Sequence, residues 1–489
     1  MTDPSSQPKP TNRAAMLVVF LVVFIDLLGF GIVLPLLPLV SDGYLAGESK
    51  FTQDATIAVL FSVFSLMQFL FSPVWGRVSD RYGRRPVLLV SLAGSVLFYA
   101  LFAVACAVPL NQPWLAIGLM FVSRVGAGIA GASVSTASAV IADSTTPENR
   151  AKGMGLIGAA FGIGFTFGPL IAFGVLSLFG TGGETPVLPS GGESTASAVE
   201  TEAARIGLDP RFAWVPGAAA AVLSFVALLI AVSRFRETLK PDAGPPKPRV
   251  LFSLSRSAEV LKMPGIGPLI LIYFLAIFAF ANFEGVLARF TKEVFGYGVK
   301  QNSLVFAGVG CVLMIAQGGF YRRFAGKVSE ALLLRIGLVL MTVGLGGLGV
   351  FAFLALPMKE SAAQLVDVSQ VTGAAADALR EVAAQNAVGK FQWVMFFAAA
   401  VGVFGFAFVN PSVAALISRR ADPARQGEVL GVNQSFTAIG RILGPALGNL
   451  LFWTHPSHAV PFASALGLLV LVAALQPMVG KTERPPAAL

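Results

Sequence analysis

Apolar residues in this chain come in long unbroken blocks rather than at the spacing of a surface helix or strand. Met16 to Val40 reads MLVVFLVVFIDLLGFGIVLPLLPLV, 25 residues with one ionisable side chain, Asp26. Similar blocks recur at about 16–39, 55–75, 87–107, 114–141, 153–178, 213–233, 266–288, 302–320, 329–353, 391–417, 428–452 and 460–478. Crossing a bilayer takes about 20 such residues. Backbone groups find no water in hydrocarbon, so each block is expected to be a helix that satisfies its own amides. The reading is an all-α membrane protein with twelve spans. The first block is too long for a signal-peptide core, contains Asp26 and has no A-x-A-like cleavage site, so it is read as span 1.

Composition agrees. Of 489 residues, 55% are hydrophobic and 12% charged, against about 25% charged in soluble domains; the mean hydropathy is +0.76. The net charge is +9, but the basic residues are spread over short loops, which excludes a nucleic-acid face. With the N-terminus inside, 24 of the 35 Lys and Arg fall on the inner side and 9 on the outer, Arg124 and Arg441 lying within spans. That bias places both termini in the cytoplasm of a multi-pass protein of the cell (inner) membrane. Cys106 and Cys311 sit in apolar blocks and read as small buried hydrophobes. No metal or cofactor site is expected. No zinc signature, Gly-x-Ser-x-Gly or P-loop is present, so the chain is not read as an enzyme.

The expected organisation is a tail (1–15), a six-helix bundle (16–233), a basic Pro-rich linker containing GPPKPR (234–265), a second bundle (266–478) and a tail (479–489). Two outer loops are long. Gly180–Arg211 is rich in Gly, Ser and Thr, and Leu354–Lys390 contains a stretch able to form a short surface helix. The halves echo each other: Gly155 precedes Gly168-Pro169 by 13 residues, and Gly431 precedes Gly444-Pro445 by 13. Duplicated halves mark secondary transporters.

GRVSDRYGRRP joins spans 2 and 3. Gly76 and Gly83 suit a tight turn, Asp80 can bond helix N-terminal amides or pair with arginine, and Arg81, Arg84 and Arg85 supply inner-side charge. The stretch resembles the Gly-x-x-x-Asp-Arg-x-Gly-Arg-Arg loop of the major facilitator superfamily. The resemblance implies the major facilitator fold, two pseudo-symmetric six-helix bundles, and assigns a latch to Gly76, Asp80, Arg81, Gly83, Arg84 and Arg85. That latch locks spans 2 and 3 against the other half and releases on switching. The second-half echo, RRFAGKVSEALLL, keeps Gly326 but sets Arg322 and Glu330 out of register, so no symmetric second latch is expected.

In span 4, Arg124, Gly128, Gly131 and Ser135 share one helical face. The Gly-x-Gly-x-x-Gly runs from Gly126 and Gly153 have no preceding strand, so they read as helix-packing faces and not as dinucleotide sites. Arg124 is a functional candidate because a mid-membrane arginine is costly; its placement resembles the superfamily's span-4 arginine, implicated in proton transfer. In span 5, Gly164, Gly168 and Pro169 resemble the antiporter motif of twelve-span drug:proton antiporters, with Ala172 and Phe173 where that pattern has two glycines. The alternative is a purely structural kink.

FIDLLGFGIVLPLLP of span 1 resembles tetracycline-efflux-like antiporters. A charge at the bilayer centre costs about 2.5–3.5 kcal/mol. A carboxyl kept there can bind a proton on one face and release it on the other; otherwise Asp26 only orders helix contacts. Glu284 in span 7 is a second proton site or an interfacial carboxylate. Arg441 in span 11 can balance Asp26 or Glu284, or meet an anionic substrate. Asn282 and Asn410 are cavity candidates. Phe98 stands where tetracycline exporters carry an acid in span 3, span 9 has no acid, and Leu313 or a neighbour replaces a span-8 histidine. Tetracycline–metal exchange is therefore not expected.

The leading expectation is a monomeric proton-coupled antiporter exporting a small hydrophobic drug-like compound, with the multidrug efflux and antibiotic resistance that the resemblance implies. Its partners are that small molecule, protons and the bilayer. The alternatives are proton symport or facilitated import of a metabolite, and a non-transporting receptor on a transporter fold, which the short tails disfavour.

Overall fold

The computed structural model describes residues 13–45, 47–146, 149–179, 212–239, 254–366, 374–422 and 425–476. The whole Gly180–Arg211 loop, 1–12 of the first tail, the second tail and 240–253 of the linker lie outside the described residues. The expected spans are helices: Arg13–Tyr44, Lys50–Tyr82, Arg84–Cys106, Pro113–Gly131 with Val134–Ser144, Arg150–Phe179, Val215–Arg234, Gly267–Phe295, Val299–Met314 with a π-helix at Ile315–Tyr321 and a last turn at Arg322–Phe324, Glu330–Gln364, Gln392–Arg420, Gln426–Phe452 and Val460–Leu475. They are spans 1 to 12. Among the described residues, nine helices are long and apolar enough to cross a membrane, and the cores of spans 1 and 12 are shorter apolar helices. Span 11 is the polar exception, carrying Asn433, Gln434, Ser435, Thr437 and Arg441.

Lipid and protein faces separate as a bilayer requires. Span 3 exposes Val90, Leu97 and Val104; span 6, Val222, Leu229 and Val232; span 9, Val339, Val343 and Val350. Their opposite faces pack inward, span 3 on spans 4 and 6 and span 9 on span 10. The first six spans meet the last six through span 2 on span 11 and span 5 on span 8.

Two boundaries differ from the sequence expectation. Span 4 breaks at Ala132 and Ser133, where Ser91 Oγ donates to the Ala130 carbonyl (2.9 Å) and pairs with Ser133 Oγ (2.7 Å). Those hydroxyls satisfy groups that the helix ladder releases. Span 9 runs to Gln364, past Pro357, because its last turns leave the apolar block but continue as a helix facing water. The surface helix expected in the outer loop is Ala374–Gly389, and a second short helix, Leu254–Lys262, lies in the linker.

Candidate functional site

Between the halves lies a narrow cavity of about 50 Å³, lined by Asp26, Phe64, Gln68 and Phe161 from the first half and Tyr273, Asn410, Asn433 and Arg441 from the second. A single water needs roughly 10–15 Å³ measured this way, so the site holds only a few in this conformation.

Asp26 is 4% exposed, takes a hydrogen bond from Ser95, and leaves Oδ2 without a protein partner. Among the described residues it forms no ion pair. Gly131 of span 4 stands against it; a Cβ there would lie 3.6 Å from Asp26 Cγ. Gln68 donates to the Gly131 carbonyl (3.4 Å), and its Oε1 accepts from Arg441 Nη1 (3.4 Å). Gln68 of span 2 thus links span 4 to the cation of span 11, on the cavity wall that Asp26 shares. Arg441 also lies over the Phe161 ring, 5.3 Å from its centroid, and within electrostatic reach of Glu284. Of the two acids that Arg441 was expected to balance, Glu284 lies within its electrostatic reach, while Asp26 shares its cavity. Glu284 is not a lining residue.

One end of the molecule, the basic end, is sealed across the halves. A Cβ on Gly76 would lie 2.2 Å from the Gly427 carbonyl oxygen, so spans 2 and 11 touch backbone to backbone. Asp80 accepts from the Gly427 amide (3.2 Å) through Oδ1 and from the Glu428 amide (3.0 Å) through Oδ2. These are unsatisfied donors of the span 11 N-terminus, where a carboxylate is favoured. Arg84, with its side chain fully buried, reaches Asp80 (2.5 Å) with Nη1 and Asp143 (3.0 Å) with Nε. Higher up the same seam, Ser435 Oγ donates to the Phe69 carbonyl (2.8 Å).

Twelve spans in two packed halves, with this loop closing them, have a counterpart among known proteins: residues 19–388 match the Major Facilitator Superfamily. The chain belongs to that superfamily. Over 95% of its length it is 26% identical to major facilitator superfamily domain-containing protein 10 of Mus musculus, covering 93% of that protein. It is 29% identical to the class B tetracycline resistance protein of Escherichia coli, over 66% of this chain and 69% of that one. Among solved structures, the human organic anion transporter MFSD10 (TETRAN) aligns with 96% of this chain and 100% of that one at TM-score 0.65 and 23% identity. The proton:xylose symporter XylE aligns at TM-score 0.59 and 16% identity, with 95% of each chain covered. These two structures establish the fold. As a superfamily member the chain is a multi-pass secondary transporter of a small molecule and not an enzyme.

Within this superfamily frame, the latch residues divide. Gly76, Asp80 and Arg84 form the seam. Gly83 is the hinge between spans 2 and 3 at φ 106°, a conformation that only glycine adopts without strain. Arg81, expected in the latch, is instead exposed and lies over the Tyr82 ring; as the residue next to Asp80 on a helix, it points about 100° away. Arg85 turns to span 6, its Nη2 donating to the Val232 carbonyl (3.1 Å) and its amide to Glu237 (3.0 Å). In the second half, Gly326 makes the corresponding turn at φ 82° and Glu330 pairs with Arg419 (2.6 Å), inside its own half.

Gly164 and Gly168, expected to belong to an antiporter motif, face span 1. A Cβ on Gly168 would lie 2.6 Å from the Gly31 backbone, one on Gly164 2.9 Å from Leu27 Cβ, and Pro169 lies inside the helix. Span 5 therefore packs directly on the helix carrying Asp26. Arg124 is 1% exposed and sits behind Phe64, 4.4 Å from the ring centroid, with Nε and Nη2 unpartnered. It reaches Asp26 only through Tyr99, whose hydroxyl donates to the Asp26 carbonyl at 3.5 Å. Asn410 lines the cavity and accepts from the Tyr273 hydroxyl (2.7 Å).

Asn282 does not line the cavity. It is fully buried on the other face of span 7, donating to the Pro461 carbonyl (3.1 Å) and Ser464 Oγ (2.8 Å) of span 12. Asn282→Ala should therefore lower stability by about 1–3 kcal/mol, the cost of buried polar groups left unpaired. A thermal-melt and binding comparison should find the substrate Kd unchanged.

Sequence reasoning missed Gln68, Asp143 and Glu237. Glu237, a lone acid in the basic RFRETL stretch, accepts from the Arg84 (2.9 Å) and Arg85 amides at the start of span 3. Burial opposes its charge, but the amides of Leu239, Arg84, Arg85 and Thr238 outweigh that and hold the carboxyl below its ordinary 4.5. Its anchoring of span 3 is thus present above that value and lost as pH falls through the lowered one.

Proposed function

We propose that the chain is a proton-coupled antiporter that exports a small, largely apolar compound from the cytoplasm by alternating access. The supporting observation is Asp26, a buried carboxyl without an ion-pair partner, on the wall of a cavity shared by both halves. On this reading Asp26 carries the proton, Gln68 and Arg441 relay its charge state across the seam, and Arg124 and Glu284 set the field around them. The basic end is cytoplasmic and both termini lie in the cytoplasm of the cell membrane. The Gly76–Asp80–Arg84 cluster is the latch of the cytoplasm-closed state, and the span 5 kink at Gly168-Pro169 moves with span 1. In everted vesicles with an acidic lumen, adding a transported compound should release lumenal protons, read by a pH dye. No response across a broad panel of apolar compounds would remove the antiport reading.

A second reading, organic anion transport, is favoured by Arg441 on the cavity wall and by the similarity to the human organic anion transporter. Arg441→Gln should then raise KM for anionic compounds about tenfold, the value of one charge-assisted hydrogen bond, and leave neutral ones unchanged. Equal effects on both classes, in parallel uptake assays, would reject an anion contact.

A further inference from the structure

At the basic end, away from the transport cavity, a crevice of about 450 Å³ opens beside spans 1, 5 and 8. Its walls are Met16, Leu17 and Phe20 of span 1 and Leu156 of span 5; its mouth carries Lys152 of span 5 and Arg322 of span 8. The two cations come from opposite halves. Both are exposed, and among the described residues neither forms an ion pair. The stem of Arg322 lies on span 5, its Cγ 3.1 Å from where a Cβ on Gly155 would be. Lys152 donates to Asn149 Oδ1 (3.5 Å), and the two exposed positive charges flank the line along which the halves close.

The crevice lies at the level where spans 1 and 5 begin and span 8 ends, at Arg13, Arg150 and Phe324. That is headgroup depth, with apolar walls leading toward the hydrocarbon. We propose that it binds an anionic phospholipid, its phosphate held between Lys152 and Arg322 and an acyl chain laid along Met16, Leu17, Phe20 and Leu156. The charge pattern selects this occupant. A zwitterionic lipid brings its own cation to the mouth, and free phosphate leaves the apolar walls uncovered. Basic pockets between spans on the cytoplasmic side suit anionic headgroups, each Lys or Arg contributing about fivefold in affinity. The lipid contacts both halves only while spans 5 and 8 are together, so it favours the closed seam by the ratio of its affinities for the two states. This role is separate from the identity of the transported compound and from proton coupling.

The test is native mass spectrometry of the full chain after exchange into phosphatidylcholine micelles titrated with phosphatidylglycerol, with thermal midpoints measured in parallel. The wild type should retain phosphatidylglycerol and gain midpoint temperature. Lys152→Gln and Arg322→Gln should each weaken retention about fivefold and together about 25-fold, and Lys152→Arg with Arg322→Lys should restore it. Equal retention by wild type and the double variant overturns the site. So does failure of the wild type to prefer phosphatidylglycerol over phosphatidylcholine. A midpoint gain reproduced by inorganic phosphate alone overturns the lipid assignment. Should the double variant not fold, the single variants give the same discrimination.

Discussion

Asp26→Asn is expected to abolish proton-coupled transport while leaving a folded, inserted protein. The substitution keeps the shape and the hydrogen bond to Ser95 but removes the carboxyl proposed to carry the proton. Insertion becomes easier, because a charged aspartate at the bilayer centre costs about 2.5–3.5 kcal/mol. Folding loses little, since the carboxylate has no ion-pair partner to strand among the described residues. Substrate-driven proton release in everted vesicles should fall at least about 100-fold, the effect expected of removing a positioned proton carrier. Exchange of labelled for unlabelled compound with no gradient should persist, because it needs the cavity and the rocking of the halves but no proton. Coupled transport at the wild-type rate in this variant would take Asp26 out of the mechanism.

Asp80→Asn is expected to open the basic end. The carboxylate satisfies two amides of span 11 and half of the buried Arg84 guanidinium. Neutralising it leaves that guanidinium with the carboxylate of Asp143 and the hydroxyl of Ser79, and breaking a buried pair typically costs about 3–5 kcal/mol. Part of that cost is shared by both conformations through the Arg84–Asp80 contact within the first half. The part that crosses the seam shifts the equilibrium toward the open basic end, about tenfold for each 1.4 kcal/mol. A cysteine at Ser138, on the cavity wall, should then be labelled from the side of the basic end much faster in the variant, in a background lacking Cys106 and Cys311. Arg81→Gln is the control. Its side chain is exposed, so it should label and transport as the wild type does. An Arg81 effect as large as that of Asp80 would mean that the loop acts through its net charge and not through the seam geometry.

The superfamily loop was legible because its chemistry is local in sequence. Gly83 turns the chain, and Asp80 and Arg84 are one helical turn apart in number and pair directly. The face Arg124, Gly128, Gly131, Ser135 was legible for the same reason. It packs on span 2, where Gly128 meets the Phe64 carbonyl and Ser135 Oγ donates to that of Ser72 (3.1 Å). Asn282 and Arg81 were misplaced because a long apolar helix offers no amphipathic pattern to say which side faces the cavity. Lipid and protein neighbours are equally apolar, so the rotation of span 7 is set by packing. Gln68, Asp143 and Glu237 were missed because their partners, Arg441, Arg84 and the start of span 3, lie on other spans.

Hydrophobic length alone determined the twelve helices, since hydrocarbon leaves backbone amides no other partner, and the spacing of glycine, acid and arginine determined the Gly83 turn and the Asp80–Arg84 pair. Only the tertiary structure decided which polar groups meet. The cavity joining Asp26 to Arg441, the docking of Asp80 on the span 11 amides and the two-sided crevice at Lys152 and Arg322 each need both halves. Such contacts depend on where one helix face lands against another, and side chains hundreds of residues apart carry no local sign of that.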